Sequence, residues 1–202
     1  WLYTDIDPSG HLDFFNNMIS VAAQSYMAVL MVSADCYFPT TTQKGNHKAG
    51  EVQGQTRQHA RLINLLGVKQ LIIGVNKMDT DTAGPYSKER FDEVGGEMKN
   101  MLMKVGWKKD FVTDSVPCLP ISGWMGDNLI EKTKNMSWWS GMDIVMPDKS
   151  KLHVDTLLDC LDRMCSPPGR DSTSDMRLPV SGIYTIKGVG DVLAGRVEPG
   201  LR

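Results

Sequence analysis

Short apolar runs alternate with amphipathic stretches along most of this chain. Runs at 2–6, 28–33, 70–75 and 116–121 predict strands, and 28–33 is apolar enough for a strand covered on both faces. Between them, 13–23 carries Phe14, Met18 and Ile19 at helical spacing. The stretch 51–66 ends in Leu62, Ile63, Leu65 and Leu66, with Gly67 as a candidate cap. The stretch 87–105 lines Phe91, Val94, Met98, Met101 and Leu102 along one face, with Gly106 beyond it. A last amphipathic helix is predicted over 154–164, and 40–50 reads as a polar loop. Strands alternating with helices predict an α/β fold with a mainly parallel sheet.

The pattern changes after 166. Residues 166–175 are rich in Pro, Ser, Gly and Asp, a linker composition. Residues 178–197 then alternate apolar positions broken by Gly188, Gly190 and Gly195, which predicts a β-hairpin. A domain boundary is expected between 168 and 176, giving domains 1–170 and 171–202. Composition is that of an ordinary globular protein, 41% hydrophobic and 23% charged over 202 residues. The net charge of -2 means that a nucleic-acid partner would be held by a local patch and not by the overall field. Cys36, Cys118, Cys160 and Cys165 include no C-x-x-C pair, so reduced thiols are expected. No run of eighteen apolar residues predicts a membrane span, and no signal peptide is expected. The chain opens at Trp1 in strand-like sequence, and a longer parent protein is expected.

Chemistry concentrates where strands are predicted to end. Asn76-Lys77-Met78-Asp79 directly follows the run 70–75. Loops beyond the carboxyl ends of parallel strands are where α/β folds bind ligands. An ionised Asp can accept two hydrogen bonds, from the ring N–H and the exocyclic amine of guanine, a pair adenine does not offer. Asn-Lys-x-Asp resembles the guanine-reading motif of GTPases, which implies that Asn76 would brace the loop and the Lys77 stem would lie over the base. Ser122-Gly123-Trp124 follows the next run, 116–121, one crossover away. Each tetrad or triad alone is also a plain turn after a strand. Asp7-Pro8-Ser9-Gly10-His11 ends the first run.

In this order, the three motifs resemble those of translational GTPases, elongation factor 1-alpha and its relatives. Gln43–Gly50, Gly54–Arg61, Val105–Asp110, Ile121–Asn128 and Gly188–Val197 resemble the elongation factor-like branch more narrowly. The resemblance implies a P-loop GTPase-type G domain over 1–170, without its N-terminal phosphate-binding part. The linker and first strands of a β-barrel domain follow over 171–202. It implies GTP or GDP as ligand, read by Asn76, Lys77 and Asp79 and met by the backbone of Ser122, Gly123 and Trp124. Asp7 would hold Mg²⁺, the Gly10 N–H would meet the γ-phosphate, and His11 would position the attacking water. The implied function is delivery of aminoacyl-tRNA to the ribosome with GTP hydrolysis, in the cytoplasm, with a nucleotide exchange factor and no membrane partner. A release- or rescue-type GTPase and a non-catalytic binding protein are the alternatives.

Several positions depart from the family pattern Asp-Ala-Pro-Gly-His-Arg-Asp-Phe. Pro8 shifts the rigid residue by one, Leu12 replaces a cation, and Asp5 stands at an apolar strand position. The chain contains no G-x-x-x-x-G-K-[ST] loop, so this segment alone is expected to bind GTP very weakly. Residues 43–69 hold Lys44, Lys48, Arg57, Arg61 and Lys69 against Glu51 alone, which reads either as an RNA or ribosome contact or as a solvated helix face. Trp138 and Trp139 are expected to pack against Met142 and Ile144.

Overall fold

The computed structural model describes residues 3–7, 25–35, 55–81, 84–167, 175, 177–178 and 180–195. The chain divides into two compact units, Trp1–Ser166 and Pro167–Arg202.

The first unit is built on a parallel sheet in the order β1-β2-β3. The strands are β1 (Met27–Ser33), β2 (Gln70–Asn76) and β3 (Cys118–Pro120). Register runs from Met27 opposite Gln70 to Ser33 opposite Asn76, and from Ile73 opposite Cys118 to Val75 opposite Pro120. The central strand has no exposed side: Leu71, Ile72, Ile73 and Val75 are all fully buried. Each such side chain contributes about 1.5–3 kcal/mol relative to exposure. That burial on both faces explains the unbroken apolar run.

Helix α1 (Gln55–Leu65) leads into β2. It ends in a Schellman turn: Val68 N–H donates to Ile63 O and Gly67 N–H to Asn64 O, both at 3.1 Å, with Gly67 at φ 78°. Helix α2 (Lys88–Lys104) leads into β3. The Ser87 Oγ accepts from Arg90 N–H at 3.2 Å and caps its first turn. Its buried face is the predicted one, Phe91, Val94, Met98, Met101 and Leu102, joined by Gly95. A Cβ on Gly95 would stand 3.2 Å from Cys118 Sγ, so the helix crosses close over β3.

Four expectations need correction. Residues 3–7 are exposed and form no strand; a strand needs a ladder partner, and none pairs with them among the described residues. The strand predicted over 116–121 pairs residue by residue with β2 only over Cys118–Pro120, although Pro117 O and Ile121 N–H still bond to Ile73 and Val75, and Val116 and Ile121 are fully buried. The helix predicted over 154–164 starts later. Val154 closes an antiparallel hairpin, β4 (Met142–Val145) with β5 (Lys151–Val154). Thr156 then caps a single α turn, α3 (Leu157–Asp159), which widens to a π turn over Cys160–Met164. The reason is local: Thr156 Oγ accepts from Asp159 N–H while the Asp159 carboxylate accepts from Thr156 N–H, a reciprocal cap that fixes the start. Lastly, Arg57 of the basic stretch is buried, while Arg61 and Lys69 are exposed, so that stretch is not one solvated face. The helix predicted over 13–23 and the loop over 40–50 lie outside the described residues.

Trp138 and Trp139 do join one core with Met142 and Ile144, and both also meet Phe91 of α2, at ring-centroid distances of 5.4 and 5.7 Å. Their indole N–H groups are satisfied by Tyr86 O and Asp155 O. Cys118, Cys160 and Cys165 are free thiols, all buried.

The second unit holds the antiparallel hairpin β6 (Val180–Ile186) and β7 (Gly190–Gly195). Gly188 and Gly190, at φ 86° and 99°, supply its turn. Ile183, Tyr184 and Leu193 are exposed on it. Among the described residues no helix is long and apolar enough to cross a membrane.

Candidate functional site

Parallel register brings the ends of all three strands of the first sheet to one edge. Ala34 N–H donates to Asn76 O at 2.8 Å, Ile121 N–H to Val75 O at 2.9 Å, and Met78 N–H to Ile121 O at 3.2 Å. The loops that follow β2 and β3 therefore leave the sheet side by side.

Asn76 ties them together. Its Oδ1 accepts from Lys77 N–H at 2.7 Å and from Gly123 N–H at 2.8 Å, one donor from each loop. Lys77 turns into the left-handed region, φ 61°, which is uncommon for a side chain of that size and needs the brace that Asn76 provides. Gly123 lies against that brace: a Cβ there would stand 3.4 Å from Asn76 Oδ1.

Asp79 and Ser122 make the second tie. Ser122 is fully buried, and its Oγ donates to Asp79 Oδ1 at 2.6 Å while accepting from Met125 N–H at 3.0 Å. The other Asp79 oxygen has no hydrogen-bond partner among the described residues. An acceptor so held is chemically suited to a ligand carrying two adjacent N–H donors. Trp124 stands at the rim, 90% exposed.

Of the predicted residues, Asn76, Lys77, Asp79, Ser122 and Gly123 are thus brought together, with Trp124 adjoining. Asp7 is exposed at the end of 3–7, and no cluster of three metal-binding side chains occurs among the described residues. Gly10 and His11 lie outside the described residues.

Sequence reading missed the supports. Lys77 Nζ pairs with Asp35 just past β1, at 3.1 Å. Asp35 is positioned by Arg90 of α2, whose guanidinium donates to Ala34 O and Asp35 O, each at 2.8 Å. Asn128 is fully buried, with its Nδ2 on Pro120 O at 2.8 Å and its Oδ1 under Thr133 N–H at 2.9 Å. The only signal for Asn128 was its place in the Ile121–Asn128 stretch; nothing local marks Asp35 or Arg90.

A parallel sheet with these two loops interlocked at its carboxyl edge is the fold of a GTP-binding G domain. Residues 1–167 match the elongation factor Tu GTP binding domain, and the chain belongs to that family. It is 38% identical over 202 residues to elongation factor 1-alpha of Hyperthermus butylicus (strain DSM 5456 / JCM 9403 / PLM1-5), covering 100% of this chain and 40% of that protein. The chain thus spans well under half the length of that relative. Among solved structures it resembles Sup35 complexed with GDP, with a TM-score of 0.56 and 27% identity, covering 88% of this chain and 38% of that one. Sup35 complexed with GMPPNP matches with a TM-score of 0.53 and 26% identity, covering 88% and 37%.

Proposed function

We propose that this chain is the base-reading part of a translational GTPase that delivers aminoacyl-tRNA to the ribosome and hydrolyses GTP on arrival. The observation that carries it is the Asp79 carboxylate, fixed by Ser122 on one oxygen and open on the other. Guanine would present its ring N–H and exocyclic amine to that carboxylate. The Lys77 stem would cover one face of the base, and the Gly123 and Trp124 backbone would meet the guanine oxygen. Holding the base fixes the register of the triphosphate, which is how a base-reading loop contributes to a reaction at the far end of the nucleotide.

Asp7 would hold Mg²⁺ through water, the ion supplying charge neutralisation to the phosphates when bound. Gly10 would approach the γ-phosphate and His11 would orient water. Residues 171–202 would be the linker and first strands of a β-barrel domain after the G domain of 1–170. Aminoacyl-tRNA, the ribosome and a nucleotide exchange factor are the proposed partners, in the cytoplasm.

The match to the Sup35 structures favours one second reading, a release-type translational GTPase. The deciding experiment uses the full-length protein. Its GTP turnover is measured with and without ribosomes, beside its protection of aminoacyl-tRNA from spontaneous deacylation. Ribosome-stimulated turnover with GTP-dependent protection is the expected result. Stimulated turnover without protection would favour the release-type reading. No guanine-nucleotide binding at all would overturn both.

A further inference from the structure

Asp127 is 7% exposed, and a buried carboxylate must find donors or destabilise the fold. Its Oδ1 accepts from Thr133 Oγ1 and, at 3.1 Å, from Asn135 Nδ2. Its Oδ2 makes no hydrogen bond of good geometry among the described residues, although the Tyr86 hydroxyl lies near enough to interact with the carboxylate. A carboxylate left half-satisfied is a costly way to close a loop, and a neutral side chain would cost less.

The position of Asp127 relates it to the base-reading loops. Ser122 N–H donates to Asp127 O at 3.2 Å, and Gly126 N–H donates to Ser122 O at 2.9 Å, closing the turn that aims Ser122 at Asp79. The other end of the network reaches the first loop. Asn135 Nδ2 also donates to the Tyr86 hydroxyl, at 3.4 Å. Tyr86 N–H donates to Met78 O at 2.6 Å, and Tyr86 sits at φ 58°, a left-handed conformation an aromatic residue rarely takes unless held. Burial, then the neighbouring Asp127 carboxylate, pushes the Tyr86 phenol up, so it stays neutral. The contacts close a ring: Met78, Tyr86, Asn135, Asp127, Ser122, Asp79.

We propose that Asp127 and Tyr86 are positioning residues that fix the angle of the Asp79 carboxylate and thereby set discrimination between guanine and hypoxanthine. This rests on the guanine-binding reading above. Hypoxanthine keeps the ring N–H and oxygen of guanine but lacks the exocyclic amine. A carboxylate held at the right angle gains a second bond from guanine alone. A carboxylate free to swing keeps one bond to either base, so the preference collapses while the shared contacts persist.

The test is made in the full-length protein with GDP and inosine diphosphate as probes. Kd for each is measured by calorimetry in wild type, Asp127→Asn and Tyr86→Phe, with thermal midpoints alongside. The expected result is a fall of about tenfold in the GDP-to-IDP preference for Asp127→Asn, the scale of one hydrogen bond to a charged group. Tyr86→Phe should fall in the same direction by roughly threefold, and IDP affinity should move less than GDP affinity in both. Equal weakening of both nucleotides, or no change in the ratio, would overturn the proposal and leave Asp127 as a fold-stabilising residue. If Asp127→Asn does not fold, Tyr86→Phe and Asn135→Ala decide by the same ratio. A wild type that does not prefer GDP to IDP would instead refute the guanine-binding site itself.

Discussion

Ser122 Oγ donates to Asp79 Oδ1 at 2.6 Å, joining residues that are 43 positions apart in the chain. The bond exists because β2 and β3 are parallel neighbours, so the first residues past their ends face each other. It also fixes which Asp79 oxygen remains open.

Ser122→Ala removes this bond and the acceptor for Met125 N–H, without adding bulk at a fully buried position. A hydrogen bond to a charged acceptor contributes about 1.5 kcal/mol or more. Guanine-nucleotide affinity of the full-length protein should therefore drop roughly tenfold or more, measured as Kd for GDP. An unchanged Kd would mean that Asp79 is held by something other than Ser122.

Arg90 predicts a contrast between two kinds of contact. Its guanidinium is mostly buried and donates to two backbone carbonyls, those of Ala34 and Asp35, while the Lys77–Asp35 pair has a half-exposed ammonium. Arg90→Lys keeps the charge but loses the fork that reaches both carbonyls, and should cost about 1–2 kcal/mol in a denaturant titration. Lys77→Met should cost less than Arg90→Lys, because the Lys77 ammonium is half-exposed and screened by water even though its Asp35 partner is mostly buried. Equal losses from the two would contradict this ordering.

The same residues show what the sequence makes legible. Helix α2 was readable because its signals are local: Phe91, Val94, Met98, Met101 and Leu102 on one face, and Gly106 beyond its end. The two loops were readable because their residue types follow apolar runs directly. Arg90 was not, because its carbonyl partners lie 56 and 55 positions away and no local pattern specifies them. The β4–β5 hairpin was missed for another reason. Its strands are four residues each, and its turn depends on Lys149 at φ 67°, where glycine would have been the signal. The π turn over Phe111–Ser115 arises from packing, with Phe111 stacked on Trp107 at 5.4 Å and Val112 fully buried.

Gly141 identifies the tightest backbone approach near that hairpin. It sits at φ 82°, and a Cβ there would stand 2.5 Å from His153 Nε2, 2.7 Å from Asp155 Oδ1 and 2.8 Å from Val154 O. The side chains could move, but the carbonyl belongs to β5. Gly141→Ala should destabilise by about 1–3 kcal/mol, read as a lowered urea midpoint at unchanged slope. A neutral substitution would show that the turn can rearrange away from β5.

The two described histidines should titrate on opposite sides of their ordinary value near 6.5. His153 is half-exposed, with Nδ1 2.7 Å from Asp143 Oδ1, Nε2 3.1 Å from Ser140 O and Asp155 Oδ2 3.7 Å away. The hydrogen bond to Asp143 raises its pKa, with smaller help from the Asp155 charge. His59 lies in α1, and burial lowers its pKa. The signs for stability follow. A raised His153 binds its proton more tightly folded than unfolded, so its contribution is fully present below about 6.5 and is lost as pH rises through the raised value. His59 favours the neutral form when folded, so its contribution is present above about 6.5 and is lost as pH falls below that. Imidazole proton shifts followed by NMR from pH 5 to 8 should give one midpoint above 6.5 for His153 and one below for His59. His153→Gln should remove the loss of stability as pH rises above about 6.5, while the acid-side loss from His59 below about 6.5 stays as in wild type. Midpoints on the same side of 6.5 would refute the opposed environments that the structure assigns to the two rings.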